Sequence, residues 1–260
     1  MHDPVRTLPV VARLTYTWDG WPRQDGGRLP AEPPDMAALR GAWEGDGLRL
    51  EGVKWSEGMA QLVFEAEPLV SPVIFAGRVK GRLDHALRSG GAGWAGFSRK
   101  VGVRTIGANT DGVVERYLAR QQVRGELFDP RYRKSLEEFS GDFPAVDLAE
   151  PTATTSGRYW YNLHVVAVTR ERYRMGREDF LPKLSAAIPA WACGLGFGLR
   201  RFALMPDHVH VAARCDPALP PSEVAWGFLR AINRAAGCGL FSERVYVGTF
   251  SGYSRAVIGH

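Results

Sequence analysis

Two stretches of this chain repeat each other at a spacing of about 149 residues, and that repeat constrains the fold more than any single motif. Met59-Ala-Gln-Leu-Val-Phe-Glu-Ala-Glu-Pro68 is an alternating, strand-like run that ends in acid-Pro. His208-Val-His-Val-Ala-Ala-Arg-Cys-Asp-Pro217 has the same form. Each is followed by a Ser/Pro-bearing cap and a run with apolar residues at helical spacing, 71–83 in one copy and 222–232 in the other. Phe97–Val103 matches Phe241–Val247, and Val11–Trp18 corresponds to Tyr161–Thr169. In both copies the order reads strand, helix, strand, strand, helix, strand, helix. Strands that alternate with helices but include adjacent strands suit a split βαβ plan. The expected class is therefore α+β, with two ferredoxin-like halves forming a pseudo-dimer. The expected boundaries are 1–125 for the first half, 126–157 for a linker and 158–260 for the second half. Within the linker, 128–139 reads as a short helix, and 147–157 as a tether rich in Thr, Ser and Gly.

A chain of 260 residues with 45% hydrophobic content supports a sizeable core. No apolar run reaches bilayer length, and no signal-peptide core follows the first residues, so the expected location is the cytoplasm, in association with the nucleoid. Cys193, Cys215 and Cys238 are odd in number and form no C-x-x-C pair, which argues against a disulfide framework or a zinc knuckle and reads as small buried hydrophobes. The net charge is +5, and only five of the 33 basic residues are Lys. Arginine forks suit phosphate and stack on bases, but a mild basic excess only permits a polyanionic partner.

The second copy contains Met205-Pro-Asp-His-Val-His210. On a strand, residues two apart point to one face, so His208 and His210 present paired imidazoles, half of a divalent-metal site. The first copy has Met59 and Gln61 at those places and cannot form the pair. It carries instead Asn109-Thr-Asp-Gly-Val-Val-Glu-Arg-Tyr-Leu-Ala-Arg-Gln-Gln122 after its last strand. Helical periodicity there puts Tyr117 and Gln121 on one face. Aligned on Val114 and Val257, the Tyr117 position becomes His260 in the second copy. Each copy thus holds the part that the other lacks.

These residues resemble the HUH motif and the nucleophile helix of single-tyrosine HUH transposases, the insertion-sequence and REP-associated class. The likeness covers about 159–258 and, more weakly, 11–122. It implies a fused version with one composite site per chain. Tyr117 would be the catalytic nucleophile, and His208, His210 and Gln121 the ligands of Mg²⁺ or Mn²⁺. The implied activity is nicking and strand transfer on hairpin-bearing single-stranded DNA through a 5′-phosphotyrosine intermediate. The chain is expected as a monomeric pseudo-dimer. Helix positions Arg78, Lys80, Arg82 and Arg88 are expected to follow DNA phosphates.

Two other functions fit part of the pattern. A domesticated, non-catalytic DNA-binding protein fits the loss of one site but not the retention of Tyr117, Gln121, His208 and His210 together. A metal-dependent phosphoesterase without a covalent intermediate would have no use for Tyr117. Among the remaining residues, Asp207 reads as shaping the turn before the strand. His2, His85 and His164 read as structural or solvent-facing, and Trp160 and Trp226 as core. The run Arg170, Arg172, Arg174 reads equally as a solvated edge or a DNA contact.

Overall fold

The computed structural model describes residues 10–23, 27–90, 93–107, 129–176 and 179–251. It is an α+β chain with two six-stranded sheets and, among the described residues, five helices. The first sheet has the order β3-β4-β2-β5-β8-β7. Its strands are β2 (Thr15–Gly20), β3 (Leu48–Ser56), β4 (Met59–Ala66), β5 (Val101–Ile106), β7 (Thr152–Ala153) and β8 (Gly157–Trp160). The second sheet has the order β1-β12-β9-β11-β10-β6. It comprises β1 (Val10–Arg13), β6 (Gly141–Asp142), β9 (Asn162–Thr169), β10 (Gly198–Leu204), β11 (His208–Arg214) and β12 (Phe241–Thr249).

The helices are α1 (Met36–Glu44), α2 (Pro72–Ser89), α3 (Pro130–Phe139), α4 (Leu181–Gly194) and α5 (Pro221–Ala236). The Ser71 hydroxyl caps α2 by accepting from Ile74 N, and Pro72 stands in its first turn. Phe75, Val79, Leu83 and Leu87 recur every four residues and are all buried. In α5 the buried stripe is Val224, Ala225, Phe228, Leu229 and Ile232. Gly237 ends that helix in a left-handed conformation at φ 73°. One face of each sheet is packed by these helices in a continuous hydrophobic cluster. The short helix expected within 128–139 is α3.

The run β2-α1-β3-β4-α2-β5 and the run β9-α4-β10-β11-α5-β12 follow one path, and their four strands stand in corresponding sheet order. The chain changes sheets twice in the same way. Past Leu14 it leaves β1, parallel to β12, and enters β2 in the first sheet. Past Tyr161 it leaves β8, parallel to β5, and enters β9 in the second sheet.

The hydrogen bonds between the two runs are reciprocal. Val73 N donates to Pro217 O at 3.1 Å, and Ser222 N to Pro68 O at 3.0 Å. Thr249 Oγ1 accepts from Thr15 N at 2.9 Å and donates to Ile106 O. Thr105 Oγ1 accepts from Asn162 N at 3.2 Å and lies 2.8 Å from Phe250 O. Buried backbone groups need partners, and these two threonines supply them where the sheets meet.

Three expectations about packing change. Cys215 is buried, but Cys193 and Cys238 are exposed, because both fall just at or beyond helix ends and outside the apolar stripes. Trp160 is not a core residue; it faces away from the helices, with the Arg104 guanidinium 3.6 Å from its ring centre. Trp226 packs, partly buried, against the core as expected.

Candidate functional site

The two sheets each have a second face that the described helices do not cover. In β11 the core takes Val209 and Val211, so alternation sends His208, His210 and Ala212 to the other face. In β9 the core takes Leu163, Val165 and Ala167, which leaves His164, Val166 and Val168 on that same face. His210 pairs in register with Val166 on β9 and with Ala203 on β10. The histidine pair therefore lies in the middle of a sheet, on rigid backbone.

Each of the two histidines meets a protein partner through Nδ1. The Asp207 Oδ1 lies 2.6 Å from His208 Nδ1, and Arg172 Nη1 donates to Asp207 Oδ2 at 3.0 Å. Burial alone would raise the Asp207 carboxyl, but hydrogen bonds from His208 and Arg172 outweigh it and hold the group below its usual range. His210 Nδ1 lies 3.0 Å from His164 Nε2, and these two rings stack at 5.2 Å with 10° between their planes. Burial pushes His164 down to about 4. Burial also lowers His210, with the neighbouring His164 and His208 adding to the effect. Both imidazoles are thus neutral near pH 7, the form that ligates a metal. The Asp207 carboxylate favours a proton on His208 Nδ1, which leaves Nε2 as that ring's acceptor, while in the His210–His164 pair either ring can donate and His210 Nε2 is buried.

Asp207 has two duties. It stands in the bend before β11, where its carbonyl accepts from Thr169 N at the end of β9 at 2.8 Å, while its carboxylate lies 2.6 Å from His208 Nδ1. His164, read as structural or solvent-facing, is half-buried and stands against His210. Its place on the open face follows from the pairing of β9 with β11, and a strand register that joins residues 46 apart is not visible in local sequence.

The donor set fits a divalent ion as two imidazoles side by side, with ring centres 4.8 Å apart. Among the described residues no group of three or more His, Cys, Asp or Glu is arranged to hold a metal. Gln121, the expected third ligand, and Tyr117, the expected nucleophile, lie outside the described residues, as does His260.

Beside the pair, a cavity of about 650 Å³ is lined by Val166, Val168, Arg170, Arg172, Arg244 and Tyr246, among others. Arg170 and Arg172 of the expected run are exposed here, with Arg172 tied to Asp207. Arg174 lies instead over the ring of Tyr132 at 5.3 Å. Glu171 and Arg172 hold positive φ, 52° and 56°, which is uncommon for residues other than glycine and aims this basic corner.

The helix α2 cations are placed differently from one another. Arg78 and Arg82 share a face, and both bond Asp46, Arg82 Nε to Oδ2 at 2.6 Å and Arg78 to its carbonyl. Lys80 is turned away from them and donates to Ser98 O at 2.7 Å. At 3.6 residues per turn, 78, 80, 82 and 88 do not form a single stripe.

Residues 158–254 match the family model described as Transposase IS200 like. The match spans β8 to β12 and takes in His164, Asp207, His208 and His210. Over this segment the chain is similar to that family. No curated protein matches the chain. No helix of the described residues is long and apolar enough to cross a membrane.

Proposed function

We propose that the chain is a metal-dependent single-stranded DNA endonuclease and strand transferase. Its two runs would be ferredoxin-like halves of one duplicated unit, closed on each other as a pseudo-dimer. The reciprocal backbone bonds at Val73 and Ser222, and at Thr105 and Thr249, support that reading. The observation that carries the function is the histidine pair on the open face, each ring held through Nδ1 by a buried or half-buried partner.

In this reading His208 and His210, with Gln121, hold Mg²⁺ or Mn²⁺. The bound ion supplies charge stabilisation at the scissile phosphate. Tyr117 Oη attacks phosphorus; the Oη–P bond forms, the P–O3′ bond breaks, and the departing 3′ oxygen takes up a proton. The 5′-phosphotyrosine keeps the phosphodiester energy, so a second 3′ hydroxyl reverses the step and joins a new strand. Asp207 and His164 hold the two imidazoles in the ligating tautomer. Arg170 and Arg244 line the approach to the pair and suit the backbone of a hairpin-bearing strand.

The test is a denaturing gel of protein incubated with a labelled hairpin oligonucleotide and Mn²⁺. A covalent adduct is expected that Tyr117→Phe abolishes. Tyr246 also lines this cavity, with its ring centre 6.1 Å from that of His164. An adduct that survives Tyr117→Phe and is lost in Tyr246→Phe would transfer the nucleophile to β12. Metal-dependent cutting that survives both changes would make the protein a phosphoesterase, and binding without cutting a domesticated DNA-binding protein.

A further inference from the structure

The open face of the first sheet also bears a cavity, of about 690 Å³, and nothing in the reading above uses it. It is lined by Asp19, Trp21, Gln61, Gly102, Arg104 and Trp160, with Lys100 and Arg158. Gln61 pairs with Asp19 as His210 pairs with Val166, so this cavity stands in the first sheet where the histidine pair stands in the second. We propose that it is a binding site for one guanine base of single-stranded DNA.

Shape and stacking point to a planar guest. Trp21 lines the cavity and is 42% exposed, so its indole is accessible to a guest there. Trp160 carries the flat Arg104 guanidinium 3.6 Å from its ring centre. Indole and guanidinium planes are the platforms on which single-stranded bases stack. Gly102 keeps the space open: a Cβ there would lie 3.2 Å from Asp19 Oδ2 and 3.5 Å from the Trp21 ring. In the second sheet the matching position is Tyr246. The second sheet has a cavity of about 650 Å³ at the corresponding place, lined by Val166, Val168, Arg244 and Tyr246, so what is particular to the first half is the buried carboxylate, the indole and the missing side chain at Gly102.

The polar floor selects the base. Asp19 is buried, and its Oδ1 accepts from Gln61 Nε2 at 2.7 Å. A carboxylate has about four lone-pair positions, so it accepts further donors. Guanine is the DNA base with two adjacent donors on one edge, N1–H and the exocyclic amine, the pair that a carboxylate takes together. Burial raises the Asp19 carboxyl despite the hydrogen bond from Gln61 and the charge of Arg104, and a guest with two N–H donors would relieve that cost. Lys100 and Arg158 suit the phosphates on either side of the base. The guanine chemistry stands on the cavity; DNA as its source rests on the function proposed above.

The experiment uses the full chain as Tyr117→Phe in EDTA, so that neither cleavage nor metal enters the result. Titration with dGMP, dAMP, dCMP and dTMP, followed by tryptophan fluorescence and calorimetry, is expected to show saturable binding that favours dGMP by about tenfold or more. Trp21→Ala is expected to weaken dGMP by about tenfold, the usual worth of one stacking contact. Asp19→Asn is expected to remove the preference among bases. If that variant fails to fold, the half-exposed Trp21 carries the test. A dT oligonucleotide with one central dG is expected to bind about tenfold more tightly than the all-dT strand. No saturable binding, or equal binding of the four nucleotides, overturns the site. A dGMP preference without a preference for the dG-bearing oligonucleotide overturns DNA as the source. Failure of the hairpin cleavage assay touches neither result.

Discussion

At matching positions of the two open faces, the second sheet carries His164, His208 and His210 where the first carries Thr17, Met59 and Gln61. Both sheets are built by one strand order, so the difference lies in side chains and not in backbone. The second face carries three imidazoles and ties them to Asp207 and to each other. The first buries a carboxylate beside an amide and an arginine and leaves a cavity over it. A single scaffold therefore offers nitrogen ligands on one side and a stacking, proton-accepting pocket on the other. Function follows the grafted residues, not the fold.

The comparison can be broken by making the two faces alike. Converting His208→Met with His210→Gln writes the first face onto the second. Adduct formation with the hairpin oligonucleotide is expected to fall by about 10³ or more, the scale of losing a metal's charge stabilisation. An unchanged rate would remove the histidine pair from the reaction.

A second measurement concerns acid. In the native, metal-free protein His164 is pushed down to about 4, while in the unfolded chain it titrates near its ordinary value of 6.5. Between these values the unfolded state binds more protons, so stability must rise with pH across that window. Urea unfolding is expected to show a loss of roughly 3 kcal/mol between pH 7 and pH 4 from this group. His164→Gln should flatten the profile. A steep profile that persists in the variant would assign the acid sensitivity elsewhere.

The next effect is smaller. Asp207→Asn keeps the turn but weakens the hold on His208, and Mn²⁺ affinity is expected to drop by about 10–100-fold. Calorimetry on the full chain reads this directly, and unchanged affinity would show that Asp207 serves the turn alone. Smallest is the seam between the sheets. Thr105→Val and Thr249→Val each strand backbone groups of the opposite run, and each is expected to cost about 1–3 kcal/mol in denaturant unfolding. Similar costs would support two equivalent halves; a marked inequality would sharpen where the symmetry fails.

Much of this arrangement was legible from alternation and spacing. The repeat at 59–83 and 208–232 corresponds to β4-α2 and β11-α5, and the Ser71 and proline signals mark the helix starts. The direction of His208 and His210 followed from period two. What escaped was everything set by register between distant strands. His164 reaches His210 because β9 pairs with β11, and Asp19 meets Gln61 because β2 pairs with β4. Trp160 looked like core because a tryptophan among apolar strands has no sequence mark for the face it takes. The exchange of β1 and β8 between sheets was equally hidden, since a four-residue strand carries no record of its partner.

That exchange imposes an order on biosynthesis. β1 leaves the ribosome well before its neighbour β12, which is completed more than two hundred residues later. At ordinary elongation rates the wait is on the order of tens of seconds. Through that interval β1 has no strand to pair with, and the nascent protein must keep that unpaired segment from finding another partner.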